Sequence, residues 1–353
     1  MTPVQVRQII VRRERRFKLA IVIGILACGL TILLAVPGLL VTFLLAFVIS
    51  YLFKPLVNYF ERKGLSRTTS IVVPFILIGF IMAGVSSFLI PRMALQAETF
   101  QGELPKYVQG VSTLIKNNTA RANKLIAPFV EVDMAEQATK WLENSSTNLI
   151  TNIPNWISQF LSTLLLAPFF AFFMLRDGQN VSRKLLSLVP NNLFETALNI
   201  FYQVNQQLGG FIRARLLEAV IVGTVVWIGF YLMDFPYAAI LAVFAGATNL
   251  IPYVGPLIGA VPGLLVAVIN QNSSGTLALV GAIYVIAQAV DMLFIIPLVV
   301  AKIVDLHPVT VVIVIIVGSQ IMGVLGMIIS VPVASIIKLT FTEFYNHVVD
   351  FRS

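Results

Sequence analysis

Long apolar runs that alternate with short polar segments dominate the sequence. The run Phe17–Val36 is 20 residues long, and at about 1.5 Å of rise per helical residue it crosses a hydrocarbon core of about 30 Å. Similar runs recur along the chain and predict an all-α polytopic membrane protein with about six full transmembrane helices. These runs are Phe17–Val36, Leu39–Phe53, Ser70–Ile90, Ile153–Leu175, Leu216–Met233 and Thr276–Val300.

Two further apolar stretches are too short to cross a membrane. Ala238–Leu250 and Leu257–Ile269 have 13 residues each, which make only about 20 Å of helix. The pattern predicts a re-entrant helical hairpin with its tip at residues 249–256. The tip contains residues that break helices or permit a close approach of another backbone or a solute: Pro252, Gly255 and Pro256.

The same shape recurs near the C-terminus. Val309–Met322 and Met327–Ile337 are two apolar arms around a glycine-containing tip, Gly323–Gly326. The predicted span Thr276–Val300 lies between the two hairpins, so they enter the membrane from opposite sides.

A span followed by a hairpin therefore occurs twice in opposite orientations, in residues 213–269 and 275–338. Paired interrupted segments in inverted halves point to a transporter binding site near the middle of the membrane. Eight ordinary crossings remain the alternative, and both arrangements place the C-terminus on the same side as the N-terminus.

The only long polar stretch, residues 92–152, has the apolar spacing of amphipathic helices. It is interpreted as an extracytoplasmic helical cap, or alternatively as a lid or partner surface. The remaining predicted segments are a basic cytoplasmic N-terminus (1–16), three transmembrane helices (17–91), a fourth (153–175), a cytoplasmic helical connection (176–212), a transport core with two helix-hairpin repeats (213–338) and a cytoplasmic C-terminus (339–353).

Composition supports the membrane interpretation and excludes several other classes of protein. Hydrophobic residues make up 58% of the chain and charged residues 11%, against about 25% charged in soluble domains. The single cysteine, Cys28, excludes a disulfide framework, and two histidines leave little for a metal site. No phosphate-binding glycine motif or H-E-x-x-H motif occurs, so neither an enzyme nor a cofactor or metal is expected.

The net charge of +8 is distributed in short connections between apolar runs. This is the positive-inside pattern, which predicts cytoplasmic N- and C-termini and argues against nucleic acid as a partner. Membrane lipids are the expected partners instead. A cleaved signal peptide is the competing interpretation of Phe17–Val36, and it is disfavoured because another apolar run follows directly after Pro37-Gly38.

Several segments carry a family resemblance. They are Asn249–Pro262, Gln288–Pro297, Val299–Lys302, Leu306–Pro308, Gly318, Gly323–Met327 and Val331–Ala334, with Leu175–Gly178 and Phe211–Arg213 upstream. In this order they resemble the autoinducer-2 exporter-like transporter family of bacterial membrane proteins. The similarity is strongest over residues 160–340, and Met292 stands where the family pattern has asparagine.

The resemblance implies a secondary transporter or exporter of small polar molecules in the bacterial cytoplasmic (inner) membrane, either coupled to a proton or sodium gradient or running downhill. Because some family members exchange monovalent cations for protons, a cation/proton antiporter is the first alternative. A homo-oligomer is also expected from the family. Two more functions fit the pattern, namely an oligomeric passive channel and a non-transporting membrane scaffold that acts through residues 92–150.

Asp291 is interpreted as the only acidic residue inside a predicted span, and a charge at such a position is expected to face a cavity or a partner. Gln288 precedes it by three residues and shares its helix face. The functional interpretation is a proton or cation site or a substrate anchor. The alternative is a hydrogen bond that packs two helices together.

The remaining transport-pathway candidates lie at the two hairpin tips: Asn249, Pro252, Gly255, Pro256, Ser319, Gln320, Gly323 and Gly326. Polar members could contact a solute or cap broken helices, and Gly323 and Gly326 could serve only close packing. Arg213, Asp305 and His307 are candidates at the cytoplasmic entry. Arg215 and Glu218 are expected to pair on one helix face and to anchor the topology. Gly281 is expected to matter only for packing.

Overall fold

A computed structural model of the chain describes residues 38–126, 165–189, 194–270, 274–293 and 306–350, together with residue 163 and isolated positions between 24 and 36. Within these residues every regular element is helical. The predicted span Phe17–Val36 lies mostly outside the described residues. Residues 127–152 of the predicted extracytoplasmic region and the first part of the predicted span Ile153–Leu175 also lie outside them.

The helices follow one another along the chain with short connections. They are α1 (Leu39–Arg62), α2 (Arg67–Ile126), α3 (residues 165–186), α4 (Phe194–Leu232), α5 (Ala238–Thr248), α6 (Gly255–Ile269), α7 (Ser274–Val290) and α8 (Pro308–Asp350). Among the described helices, α1, α2, α4, α7 and α8 contain segments long and apolar enough to cross a membrane. The helices α5 and α6 have only 11 and 15 residues, or about 17 and 22 Å. They agree with the short arms that the sequence predicts, and their depth in the membrane stays a prediction.

The surface of the long helices is apolar. Only 11% of the apolar window in Arg67–Phe100 is buried, and Phe80 and Leu232 expose 76% and 77% of their surface. Leaving so much apolar surface in water would cost about 25 cal/mol per Å², whereas lipid solvates it without this cost. These helices therefore belong to a multi-pass membrane protein.

The chain divides into two compact units. The first comprises the described residues of Met1–Ile76, Ser158–Gly209 and Ile336–Ser353. Its core contains the alanines Ala46, Ala167 and Ala171 of α1 and α3, whose small side chains allow the helices to approach closely. At the start of α2, the Arg67 guanidinium donates to Glu61 and to the carbonyl of Leu175, each at 2.6 Å.

The second unit comprises the described residues of Leu77–Ile157 and Gly210–Ser335. Its largest apolar cluster surrounds Val226 and Phe230 of α4, which are fully buried, and includes side chains from α5, α6 and α7. It contains both segments for which the sequence predicts hairpins.

The first hairpin, called hairpin 1 here, consists of α5, a turn and α6. Its arms pack through residues without large side chains: a Cβ placed on Gly259 would lie 3.1 Å from the Ala245 Cα atom. A Cβ on Gly246 would lie 2.6 Å from the carbonyl oxygen of Ala219 in α4. Pro256 is tolerated in the first turn of α6, where the missing backbone donor has no helical partner to lose.

Residues of α2 beyond its apolar segment hold both ends of hairpin 1. The Glu103 carboxylate accepts hydrogen bonds from Tyr237, just before α5, at 2.8 Å and from Tyr107 at 3.2 Å. The Lys106 ammonium donates to Asn270, just after α6, at 2.6 Å. The extension of α2 therefore braces the base of hairpin 1.

The second hairpin, called hairpin 2 here, is the helix α8 folded back at Met322 and Gly323, where the backbone is not helical. Gly323 has φ of +59°, a conformation that glycine adopts without steric cost. Gly326 packs against the carbonyl group of Gly318. In a straight helix these two residues would be about 12 Å apart, so the chain reverses its direction between them.

The reversal in hairpin 2 predicts a sharp difference between two glycines. Because a Cβ on Gly326 would overlap the Gly318 carbonyl oxygen, we expect Gly326→Ala to destabilise the protein by about 1–3 kcal/mol. Gly84, on the exposed face of α2, has no atom within 4 Å of the same position, so Gly84→Ala is the matched control. Thermal unfolding of the detergent-solubilised protein checks both, and equal melting temperatures for the two variants would contradict the packing described above.

The brace between α2 and hairpin 1 predicts a pH dependence. The hydrogen bond from Tyr237 holds the pKa of Glu103 below its ordinary value of 4.5. Tyr107 and Lys106 also lower this pKa, whereas partial desolvation of the carboxylate raises it. The carboxylate therefore stabilises the fold at neutral pH, and this stabilisation is lost as the pH falls through 4.5 and below. We expect Glu103→Gln to melt below the wild type at pH 7 and the difference to vanish in acid.

The control for this measurement is Glu98→Gln, which removes an exposed carboxylate from the same helix. It should leave the melting temperature near that of the wild type at both pH values. If Glu103→Gln had the same melting temperature as the wild type at pH 7, the brace would contribute nothing to stability.

Candidate functional site

A cavity of about 530 Å³ lies within the second unit, between α4, the tip of hairpin 1, α6 and α7. Most of its lining is apolar. The polar lining comes from the α4 residues Arg215 and Glu218, from Asn249 at the tip, and from Tyr284, Gln288 and Asp291 at the end of α7. The cavity size is in the range of pockets that bind small organic molecules, roughly 300–1,000 Å³.

An ion pair on α4 forms one wall of the cavity. The Arg215 Nη1 atom donates to both carboxylate oxygens of Glu218, at 2.7 and 2.6 Å. The two residues are one helical turn apart, which brings their side chains to the same face. Glu218 is only 2% exposed, and a buried carboxylate requires such a partner because its hydration has been lost.

Asn249 connects hairpin 1 to this ion pair. Its Nδ2 atom donates to Glu218 Oε1 at 3.1 Å, and the residue is 1% exposed. α5 ends at Thr248, and the backbone amide of the next residue, Asn249, still donates to the Ala245 carbonyl oxygen, which holds Asn249 at the end of the helix. The tip of hairpin 1 is therefore attached to α4 through a charged acceptor, which strengthens the hydrogen bond.

Asp291 brings a second carboxyl group to the same place. Its side chain lies beside the Glu218 carboxyl group and the Gln288 amide, and it is 2% exposed. Residues 291–293 form a π-helical turn, a local widening of the helix that is frequent at functional sites. Among the described residues, one guanidinium faces two carboxyl groups here. With both carboxyl groups ionised, the cluster has a net charge of −1, which one bound proton or monovalent cation neutralises.

Several polar atoms in the cavity have unused hydrogen-bonding capacity. In the part of the chain that the structure describes, the buried side-chain atoms without a partner in the protein are Arg215 Nε, Asn249 Oδ1, Tyr284 Oη and Asp291 Oδ1. All four residues line this cavity. An unsatisfied buried polar atom costs about 1–3 kcal/mol, so their convergence marks a place where a polar solute would be stabilised.

An apolar cluster joins the two hairpins next to the cavity. Ile251, which lines the cavity, packs with Phe211, with Val311 and Ile315 of one arm of hairpin 2, and with Val331 of the other arm. A closely packed apolar cluster excludes water and polar solutes. Of these residues, only Ile251 also lines the cavity.

The structure brings together some of the sequence-predicted residues and not others. Asn249, Pro252, Pro256, Gln288 and Asp291 line the cavity. The candidates of hairpin 2 are not among its lining residues: Ser319 donates to the carbonyl of Ile316 at 2.6 Å, Gln320 and Gly323 are exposed, and Gly326 packs against Gly318.

The cytoplasmic-entry candidates also lie elsewhere. Arg213 is exposed on α4, on the face away from Arg215. His307 Nδ1 accepts a hydrogen bond from the Val309 amide at 3.3 Å, which caps the start of α8. Asp305 lies outside the described residues.

Two glycines behave differently in the structure. Gly255 is buried, and a Cβ there would collide with the carbonyl group of Thr248, so the close approach that this glycine permits is that of another backbone segment. Gly281 lines the cavity, with no atom within 4 Å of the position of a Cβ. Sequence spacing could not separate the two because both lie in apolar helical segments.

The sequence analysis did not place Arg215, Glu218 or Tyr284 among the transport-pathway candidates, although all three line the cavity. Glu218 lies inside the predicted span Leu216–Met233, so the interpretation of Asp291 as the only acid in a span is wrong. Arg215 and Glu218 pair as their spacing predicts, and the pair is buried among protein side chains. Its role as a topology anchor stays a prediction. The available signal was an acid and a base three residues apart at the start of an apolar run.

Comparison with known proteins agrees with these features. The sequence model of a protein family described as "AI-2E family transporter" matches residues 19–346 of the chain. The chain belongs to this family. It is 28% identical to "Putative transport protein YueF" of Bacillus subtilis (84% of this chain, 82% of the relative) and 27% identical to "Putative permease PerM" of Escherichia coli (89% and 90%). "Putative transport protein YrrI" of B. subtilis is 27% identical, with 88% of each chain covered.

Membership of the AI-2E family confirms the resemblance found in the sequence. The family consists of transporters and permeases and not of enzymes. Membership of this family supports a general transport function for the chain. The cavity in the second unit is then the candidate solute site of this AI-2E transporter.

The cavity geometry predicts opposite behaviour for the two glycines. Because the leucine side chain of Gly281→Leu would occupy cavity space, we expect this variant to lose transport in proteoliposomes. Its free energy of unfolding should stay within about 1 kcal/mol of the wild-type value. Gly255→Ala should instead lower the stability by about 1–3 kcal/mol through its contact with Thr248. Transport that survives in Gly281→Leu would remove the cavity from the solute path.

Proposed function

We propose that this AI-2E transporter moves a small polar solute by secondary active transport, with the cavity beside Arg215, Glu218 and Asp291 as the solute and coupling-ion site. The observation that carries the proposal is the convergence of four unsatisfied buried polar atoms on one cavity. Groups of this kind are retained in a membrane interior at a cost in stability, and they commonly mark a substrate or ion pathway.

Proton coupling follows from the carboxyl groups of Glu218 and Asp291. Two adjacent carboxylates repel each other, and a proton shared between them removes the repulsion. The groups that face them are Arg215 on α4, Asn249 at the tip of hairpin 1, and Tyr284 and Gln288 on α7. Only Arg215 among these carries a positive charge, so the cluster has room for one further proton.

The two hairpins supply a gate. Ile251 at the tip of hairpin 1 packs into the apolar cluster with both arms of hairpin 2, and separating the hairpins would open the cavity on that side. Because Asn249 bonds directly to Glu218, a change in the charge of the carboxyl cluster changes a contact of the hairpin tip. The occupancy of the site is thereby linked to the position of the gate.

Monovalent cation/proton antiport is the second candidate function. The unpartnered oxygen atoms Asn249 Oδ1 and Asp291 Oδ1 are acceptors that suit a cation, and the net charge of −1 is neutralised equally by one proton or one monovalent cation. In this case the cation and the proton compete for the same carboxyl cluster.

We further propose two oppositely oriented re-entrant hairpins, cytoplasmic termini, location in a bacterial inner membrane and a homo-oligomer. The helix lengths of α5 and α6 and the reversal in α8 support the hairpins. The basic surplus in the short connections supports the orientation.

Replacing Asp291 tests the coupling proposal. In Asp291→Asn one carboxyl group and its proton are removed while the amide keeps an acceptor. We expect solute-driven proton movement to fall to the level of empty liposomes, with assembly and melting temperature retained. The measurement is the signal of an internal pH dye in proteoliposomes after addition of a panel of small polar solutes, or of sodium chloride to test antiport.

Glu98→Gln is the matched control, because it removes an exposed carboxylate of the second unit away from the cavity. It should retain wild-type proton movement. Wild-type coupling in Asp291→Asn, with unchanged pH dependence, would exclude Asp291 from the mechanism and reduce it to a helix-packing hydrogen bond.

A further inference from the structure

We infer that the cavity selects a small organic monocation, namely a protonated primary amine with an apolar body and one hydrogen-bond acceptor, over a neutral polyol or a bare inorganic cation. This inference rests on the proposed transport function and names the class of its solute. Four properties of the cavity carry it: charge, hydrogen-bond direction, size and the chemistry of the walls.

The charge of the site favours a ligand with a single positive charge. Arg215 neutralises one of the two carboxylates, and the second, on Asp291, keeps an unpartnered oxygen atom. When no proton is bound to the cluster, a neutral solute would leave this buried charge uncompensated, which is unfavourable in a low-dielectric interior. A protonated amine supplies the missing charge together with hydrogen-bond donors.

The unused hydrogen-bonding atoms define the polar end of the ligand. Asn249 Oδ1 and Asp291 Oδ1 are acceptors, and an ammonium group has three donors to offer them. Arg215 Nε is a donor without a partner among the described residues, so a ligand with one acceptor, such as a hydroxyl or carbonyl oxygen, would complement it. Tyr284 can donate or accept.

The size of the site disfavours a bare inorganic ion. A volume of about 530 Å³ is many times the roughly 30 Å³ that one water molecule occupies in the liquid. Hard inorganic cations are held by a close shell of several oxygen atoms. In the described part of the site, the buried side-chain acceptors without a hydrogen-bond partner are Asn249 Oδ1 and Asp291 Oδ1, to which an ammonium group can donate directly. An organic body would fill the space that an ion leaves empty.

The walls suit an apolar or aromatic body. Leu257, Leu264 and Met292 line the cavity together with Tyr253 and Tyr284. A polyol would place hydroxyl groups against these side chains without hydrogen-bond partners, which costs free energy. Aromatic rings instead stabilise a nearby organic cation through their negative faces.

A pair of isosteric probes tests the inference directly. The first is 2-amino-1-phenylethanol, which is protonated at neutral pH, and the second is 1-phenyl-1,2-ethanediol, in which a hydroxyl replaces the ammonium group. Binding to the purified full-length protein is measured by calorimetry and by the shift in melting temperature. We expect the amine to bind at least about tenfold more tightly than the diol, as one charge-assisted hydrogen bond predicts.

Variants locate the preference in the cavity. Asp291→Asn should reduce the preference for the amine to about twofold or less, whereas Glu98→Gln should retain it. Gly281→Leu should abolish binding of both probes by filling the cavity, and this variant keeps the test decisive even if Asp291→Asn fails to fold. Amine binding that persists unchanged in Gly281→Leu would place the site elsewhere and overturn the inference.

Two other results would overturn the organic-cation preference and leave transport through the cavity intact. Equal binding of the amine and the diol would indicate a site for neutral solutes. A shift of the same size with sodium chloride alone, at equal concentration, would indicate an inorganic cation site. The proposed transport function fails on different evidence, namely wild-type proton movement in the Asp291→Asn variant.

Discussion

The buried Glu218 carboxylate is the group on which the arrangement of the second unit depends. It accepts hydrogen bonds from Arg215 of its own helix and from Asn249 at the tip of hairpin 1, and it lies beside Asp291 of α7. A charge in an apolar interior must be compensated by its neighbours. Three segments distant in sequence are therefore held together by one carboxylate, in a region otherwise built from apolar side chains.

Close packing around this cluster relies on small residues. Gly246 and Gly259 let hairpin 1 approach α4 and fold on itself, and Gly318 and Gly326 do the same in hairpin 2. In lipid there is no hydrophobic force between helices, so close van der Waals contact and interhelical hydrogen bonds provide the association. The brace from Glu103 and Lys106 of α2 to both ends of hairpin 1 fixes the base of the hairpin.

Much of the fold could be predicted from the sequence, because helix length and apolar content are local properties. The short arms α5 and α6, and the break at Gly323 in α8, appear where the apolar runs end and glycine or proline begins. The site was predicted in part: Asn249, Gln288 and Asp291 line the cavity. Ser319 and Gln320 do not, because a polar residue near a hairpin tip can bond to its own helix or face outward.

The sequence by itself determined the class of protein, the helices and the family, since each depends on composition, on residue spacing along one segment, or on matching motifs. Only the tertiary structure decided that Glu218 and Arg215 belong with Asp291, that Gly281 faces a cavity, and that Gly255 packs against Thr248. The physical reason is that burial and partners are set by which helix faces meet. Residues 218, 249 and 291 are far apart along the chain, and no local pattern records that their side chains share one charged cluster.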